Sequence, residues 1–118
     1  MTLNTDGTPP IPRDSHVSVI HGQSMYVFGG STGSAMNDFH ELRLDKCRWQ
    51  QVRFTICTRF LPLVAVKLFV LVEVAVALGN APNQRFCHVA CVNKDSMFVF
   101  GGYDGTSRLN DLVEFRFV

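Results

Sequence analysis

The sequence has little charge and no concentration of it. Asp, Glu, Lys and Arg make up 18% of its 118 residues, and the net charge is +1. Lys and Arg are scattered, which excludes the clustered basic face that a dedicated nucleic-acid surface needs. Neither end carries an acidic or basic tail. Residues 1–16 are polar and proline-containing, without the charged start and apolar core of a signal peptide. The expectation is therefore a cytoplasmic setting.

Catalytic and metal-binding motifs are also missing. There is no G-x-S-x-G elbow, no P-loop and no H-E-x-x-H. Asp14, Ser15 and His16 are consecutive, but neighbours along a strand point to opposite faces and form no triad. The cysteines are Cys47, Cys57, Cys87 and Cys91, with no C-x-x-C pair. On one strand, Cys87 and Cys91 would lie about 13 Å apart, too far for a disulfide. The reading is reduced, partly buried thiols, and no His or Cys cluster has zinc-ligand spacing. No catalytic residue, metal or cofactor is expected.

What the chain does have is apolar residues, 47% of it, enough for the core of one domain. It also repeats itself. Shifted by 72 residues, Gly7 meets Gly79, Pro10 meets Pro82, Arg13 meets Arg85 and His16-Val17 meets His88-Val89. Ser24-Met25-Tyr26-Val27-Phe28-Gly29-Gly30 meets Ser96-Met97-Phe98-Val99-Phe100-Gly101-Gly102. Gly33 meets Gly105. One extra residue then enters the second copy, after which Asn37-Asp38 meets Asn110-Asp111, Glu41 meets Glu114 and Arg43 meets Arg116.

One unit reads as four short strands. Val17 and Val19 lie in a β-prone run that ends at the turn His21-Gly22-Gln23. Met25–Phe28 has the aromatic and β-branched composition of a buried strand. Gly29-Gly30 closes it, permitting positive φ and close approach of another backbone. Ser31 to Met36 is a polar loop. Asn37-Asp38 starts a third strand through Phe39, Leu42 and Leu44. Asp45-Lys46 turns the chain, and Trp49 and Val52 mark a fourth strand. Four strands per repeating unit is the plan of a propeller blade.

The ordered set Arg13, His16, Met25–Phe28, Gly29-Gly30, Asn37-Asp38 and Trp49 resembles a kelch repeat. Arg85, His88, Gly101-Gly102 and Asp111 carry it a second time, without the tryptophan. The resemblance implies an all-β fold, a partial propeller of two antiparallel four-stranded blades. Residues 1–53 are the linker and first blade, 54–78 a hydrophobic insert, and 79–118 a second blade that stops before its fourth strand. It further implies a protein-interaction module, often an adaptor or scaffold, whose partner faces the loop between the second and third strands and the linker entering each blade. Those loop residues are Ser31, Thr32 and Ser34, and Tyr103, Asp104, Thr106 and Arg108. Recurrence gives Arg13, Arg85, His16 and His88 structural roles.

Two departures stand out. Two blades are fewer than the roughly four to eight of a propeller, so end faces are left uncovered and open to self-association. The chain reads as a fragment of a longer protein. The period also exceeds the usual length of about 50 residues, and the excess lies in 54–78. There Val64, Val66, Leu68, Val70, Val72, Val74, Val76 and Leu78 alternate, which favours a strand over a buried helix. As a membrane span within 60–78, Leu63 to Leu78 is short of about 20 apolar residues and contains Lys67 and Glu73. A retained intron translated in frame is a further account of so foreign a block. Some kelch-like propellers are oxidases, lyases or isomerases. A copper site would need His, Tyr and Cys to converge, and the only tyrosines are Tyr26 and Tyr103.

Overall fold

The computed structural model describes residues 1–53, 57–60, 75–78 and 81–117. It is all-β. The first unit contains β1 (Asp6–Gly7), β2 (Val17–His21), β3 (Ser24–Phe28), β4 (Phe39–Arg43) and β5 (Arg48–Gln51). Then come β6 (Cys57–Phe60) and β7 (Ala75–Leu78), followed by β8 (Val89–Asn93), β9 (Ser96–Tyr103) and β10 (Arg108–Arg116). The strands form two sheets, β1-β5-β4-β3-β2 and β7-β6-β10-β9-β8.

Tight turns fix the hairpins. Gly22, at φ 58, closes β2 onto β3, and Lys94 holds φ 55 at the matching turn between β8 and β9. The turn from β4 to β5 spans 44–47, with Cys47 at φ 49. Leu44 therefore lies outside the third strand that its hydrophobicity suggested. It is 43% exposed, because the turn carries it away from the sheet. Val52 lies just past β5, yet its N–H still donates to the Phe39 carbonyl at 2.8 Å.

Alternation along the strands decides which face is buried. In the first sheet Phe28 opposes Phe39 and Tyr26 opposes Glu41 on one face. In the second, Val99 opposes Val113 and Met97 opposes Phe115. These two faces meet. Phe28, Phe39, Met97, Val99, Val113 and Phe115 form one buried cluster, with Val17, Val19, Ala90 and Val92 packed against it. Phe39 and Phe115 meet edge to face at 4.8 Å, a favoured aromatic arrangement.

The second sheet is assembled out of sequence order. Its fourth position, beside β10, is taken by β6, paired antiparallel with Leu112 against Phe60 and Phe115 against Cys57. Part of 54–78 is built into the second unit's sheet, with β7 outside it. An unpaired β10 edge would present a row of unsatisfied backbone groups, and β6 satisfies them. The remainder of the alternating run, 61–74, lies outside the described residues, and so does the core of the proposed membrane span. No helix among the described residues is long and apolar enough to cross a membrane.

Candidate functional site

Each unit has the same polar anchor at its entry. Arg85 is fully buried. Its Nη1 and Nη2 donate to Oδ1 and Oδ2 of Asp111, both at 2.9 Å, and Nη1 also donates to the Gly101 carbonyl at 3.1 Å. Its Nε donates to the Asn83 carbonyl at 3.1 Å. Arg13 repeats this set on Asp38 at 2.5 and 2.7 Å, on the Gly29 carbonyl at 3.0 Å and on the Ile11 carbonyl at 3.2 Å. A planar guanidinium suits such bidentate pairing. His40 Nε2 joins the first anchor, 2.7 Å from Asp38 Oδ2. Burial alone would raise the Asp38 pKa. The hydrogen bonds from Arg13 and His40 outweigh it and lower the value to about 2.

His88 ties the two blades together. Its ring meets Phe28 edge on at 5.4 Å, and its Nε2–H donates to the Phe28 carbonyl at 2.9 Å. Desolvation lowers its pKa to about 4, against the raising effect of that hydrogen bond and with help from the Arg85 charge. The imidazole is therefore neutral at physiological pH, with Nδ1 as the unprotonated nitrogen. His16, its counterpart, is exposed. Around His88 the backbones interlock. Gly30 N donates to Arg85 O at 2.9 Å, Arg85 N to Met36 O at 3.0 Å, and Cys87 N to Ser15 O at 2.9 Å. Gly29, at φ 66, has no room for a side chain: a Cβ would lie 2.8 Å from both the Arg85 carbonyl oxygen and His88 Cε1.

The loops between second and third strands emerge at one end of both sheets. In the first unit Ser31 pairs with Asp14 and Ala35, so it belongs to the sheet end and is half-buried. The free loop shrinks to 32–34, where Thr32 and Ser34 are exposed. In the second unit Asp104 Oδ1 accepts from Thr106 N at 2.8 Å and from Ser107 N at 2.6 Å, shaping a longer turn that takes up the extra residue. Tyr103, Thr106 and Arg108 are exposed at its rim.

Two grooves flank this loop. A polar one of about 360 Å³ runs between Asn37, Pro82, Asn83, Gln84, Asp104 and Thr106. Asn37 Nδ2 braces its floor by donating to the Pro82 carbonyl at 3.2 Å. A larger one of about 980 Å³ crosses the outward face of the second sheet, past Phe86, Val89, Phe100, Tyr103, Thr106 and Arg108. Asp104 therefore lines the polar groove, Tyr103 and Arg108 the larger one and Thr106 both, whereas Thr32 and Ser34 line neither.

Sequence reasoning missed several positions. Ser15 and Cys87 both adopt left-handed backbone, at φ 55 and 57, between the repeated arginine and histidine. No glycine or asparagine marks either place, so only their equivalence could have signalled it. Ser24 Oγ donates to Glu41 at 2.5 Å and Ser96 Oγ to Glu114 at 2.7 Å, a repeated pair whose members were already matched by position. Tyr26, weighed as a metal ligand, has its hydroxyl 3.3 Å from Glu41 Oε1 instead. Cys87 and Cys91 are exposed rather than partly buried, because both lie on the outward side of the second unit. Cys47 is half-buried, and all three thiols are free. Trp49 is half-buried opposite Leu42 in the outer part of the first sheet. Among the described residues, no group of three or more His, Cys, Asp or Glu could hold a metal ion.

A family model described as the KLHDC2/KLHL20/DRC7 Kelch-repeats domain matches residues 1–118. The leucine-zipper-like transcriptional regulator 1 homolog of Drosophila melanogaster is 32% identical over 90% of this chain. Host cell factor 2 of Homo sapiens is 29% identical over 84% of it, and Kelch domain-containing protein 2 of Bos taurus 31% identical over 84%. The chain spans 9%, 10% and 19% of those three relatives' lengths. With both arginine anchors, both Gly-Gly strand ends and the interlocked histidine in place, the chain belongs to the kelch-repeat family.

Proposed function

We propose that this chain is a protein-interaction module, acting within an adaptor or scaffold in the cytoplasm. The observation that carries this reading is the convergence of the second-unit loop, the linker entering that unit and Asn37 of the first unit on one polar groove. Loops held on a rigid sheet are where binding residues concentrate. Asn83, Gln84 and Thr106 are exposed there, while Asp104 and Pro82 hold the groove's shape. Tyr103 and Arg108, which line the neighbouring groove, are side chains suited to an interface centre. The kelch-repeat relatives, host cell factor among them, support a binding role over a catalytic one.

Site-specific photo-cross-linking in cells tests it. A cross-linker at Gln84, in the groove, is compared with one at Asp45, on the turn at the opposite end of the first sheet. Discrete protein adducts formed from Gln84 and not from Asp45 are the expected result. Equal adduct patterns from both positions, or none from Gln84, would overturn it.

A further inference from the structure

We propose that the polar groove takes an extended, lysine-bearing segment of a partner protein, with the lysine ammonium set against Asp104. The proposal rests on the interaction-module reading and names the chemistry that this groove selects.

Size and lining point to a peptide. At about 360 Å³ the groove lies at the small end of ligand clefts, so it receives one side chain and the backbone beside it, not a folded surface. Three of its lining side chains, Asn37, Asn83 and Gln84, are carboxamides. A carboxamide has the donor and the acceptor of a peptide group, so it can satisfy either the N–H or the C=O of an extended segment. Asn37 is already braced for this. Its Nδ2 donates to the Pro82 carbonyl at 3.2 Å, which leaves its Oδ1 to accept.

Charge points to a cation. Among the described residues that line the groove, Asp104 alone is charged. No Lys, Arg or His among the described residues forms an ion pair with it. Arg85 acts on it through space, but that guanidinium is fully buried and bonded to both oxygens of Asp111. The backbone N–H groups of Ser107 and Thr106 hold the Asp104 carboxyl below its ordinary range, so it is an anion at physiological pH. A groove with a carboxylate and no countercharge selects a cationic occupant.

The turn decides which cation. Asp104 Oδ1 accepts from Thr106 N at 2.8 Å and from Ser107 N at 2.6 Å. Two bonds fill the lone pairs of that oxygen, and Oδ2 remains for a ligand. An arginine fork binds best across both carboxylate oxygens. The chain itself shows that mode twice, Arg85 on Asp111 and Arg13 on Asp38. At Asp104 it is closed, because the turn has taken one oxygen. An ammonium is a compact point charge with three rotatable donors and needs only one. The Thr106 hydroxyl and Asn37 Oδ1 are further acceptors on the same groove.

Fluorescence anisotropy with the 118-residue chain and short fluorescein-tagged peptide pools tests this. The pools are acetylated at the amino end and randomised over neutral residues at the flanks. Their central position is lysine, Nε-acetyl-lysine, arginine or glutamate. The lysine pool should bind tightest, with each of the others weaker by about tenfold, the loss of one hydrogen bond between charged groups. Asp104→Asn should remove the lysine advantage. Asparagine can still accept the two turn N–H bonds, so the loop keeps its shape, and an unchanged thermal midpoint checks that. Equal binding of the arginine and lysine pools overturns the proposal. So does a lysine advantage that survives Asp104→Asn, or a chain that binds none of the pools. Discrete adducts from Gln84 together with any of these results would leave the groove as a protein contact and sink the lysine assignment alone.

Discussion

Replacing Arg85 by leucine should destabilise the chain far more than the same change at Arg13. Both arginines make the same bonds, so the difference lies in what their loss leaves behind. Arg85 and Asp111 have side chains 0% and 4% exposed, whereas Arg13 and Asp38 are 3% and 22% exposed. Removing Arg85 takes the bidentate guanidinium from a carboxylate that is only 4% exposed, where water has little access to replace it. Breaking a buried pair on one side costs about 3–5 kcal/mol. It also removes the side-chain donors from the Gly101 and Asn83 carbonyls. Asp38 keeps the His40 hydrogen bond and some water, so Arg13→Leu loses only bonds to a charged group, about 1.5–3 kcal/mol. Against a total stability of about 5–15 kcal/mol, the first change threatens folding and the second does not. Equilibrium urea unfolding, compared at equal slope, reads the difference. The double variant Arg85→Leu with Asp111→Leu adds a control. Apolar replacement of a whole buried pair is often neutral, so it should recover much of the loss. Equal costs at Arg85 and Arg13, or a double variant worse than Arg85→Leu alone, would refute the burial argument.

Two further predictions follow from the blade contact. His88 is held neutral in the folded chain, with a pKa of about 4 against an ordinary 6.5, so the unfolded chain binds more protons between those values. Its contribution is complete above pH 6.5 and is lost as pH falls towards 4, by about 2–3 kcal/mol; unfolding midpoints across that range should show the fall, and His88→Gln should flatten it. Gly29→Ala and Gly101→Ala share the left-handed penalty of about 1–2 kcal/mol, but only at Gly29 does the new methyl strike the facing blade, at 2.8 Å against 3.2 Å from Leu109 at Gly101. Thermal unfolding should therefore rank Gly29→Ala the more damaging by about 1–3 kcal/mol, and an equal loss would mean that the blades separate easily.

Much of the candidate site was legible because the repeat doubles every signal. A lone arginine or histidine says little. Arg13 with Arg85, at matched distance from a Gly-Gly pair and an aspartate, points to a shared structural task, and the geometry is that of two equivalent anchors. The loop positions were less legible. Residues 31–36 and 103–108 read alike as polar loops, yet Ser31 is paired into the sheet end, and Thr32 and Ser34 stand apart from both grooves. Whether a loop residue faces a groove depends on the neighbouring blade's linker, and nothing local encodes that.

The sequence by itself determined the strands, their turns and the repeat, because these rest on alternation, on β-prone composition and on glycine at positive φ. Tertiary structure decided how identical segments are used. Ser-Met-aromatic-Val-Phe-Gly-Gly occurs twice, yet β3 ends at Phe28 while β9 runs on through both glycines to Tyr103. In the first unit Met36 N donates to Gly30 O, while the Arg85 backbone takes up the remaining Gly30 N–H and Met36 carbonyl, and no strand continues past Phe28. In the second, Gly102 and Leu109 turn to each other and extend the ladder. The same accounting places β6 beside β10, far from its neighbours in sequence. Every buried N–H and C=O must find a partner, and which partner lies within reach is settled only when the sheets have come together.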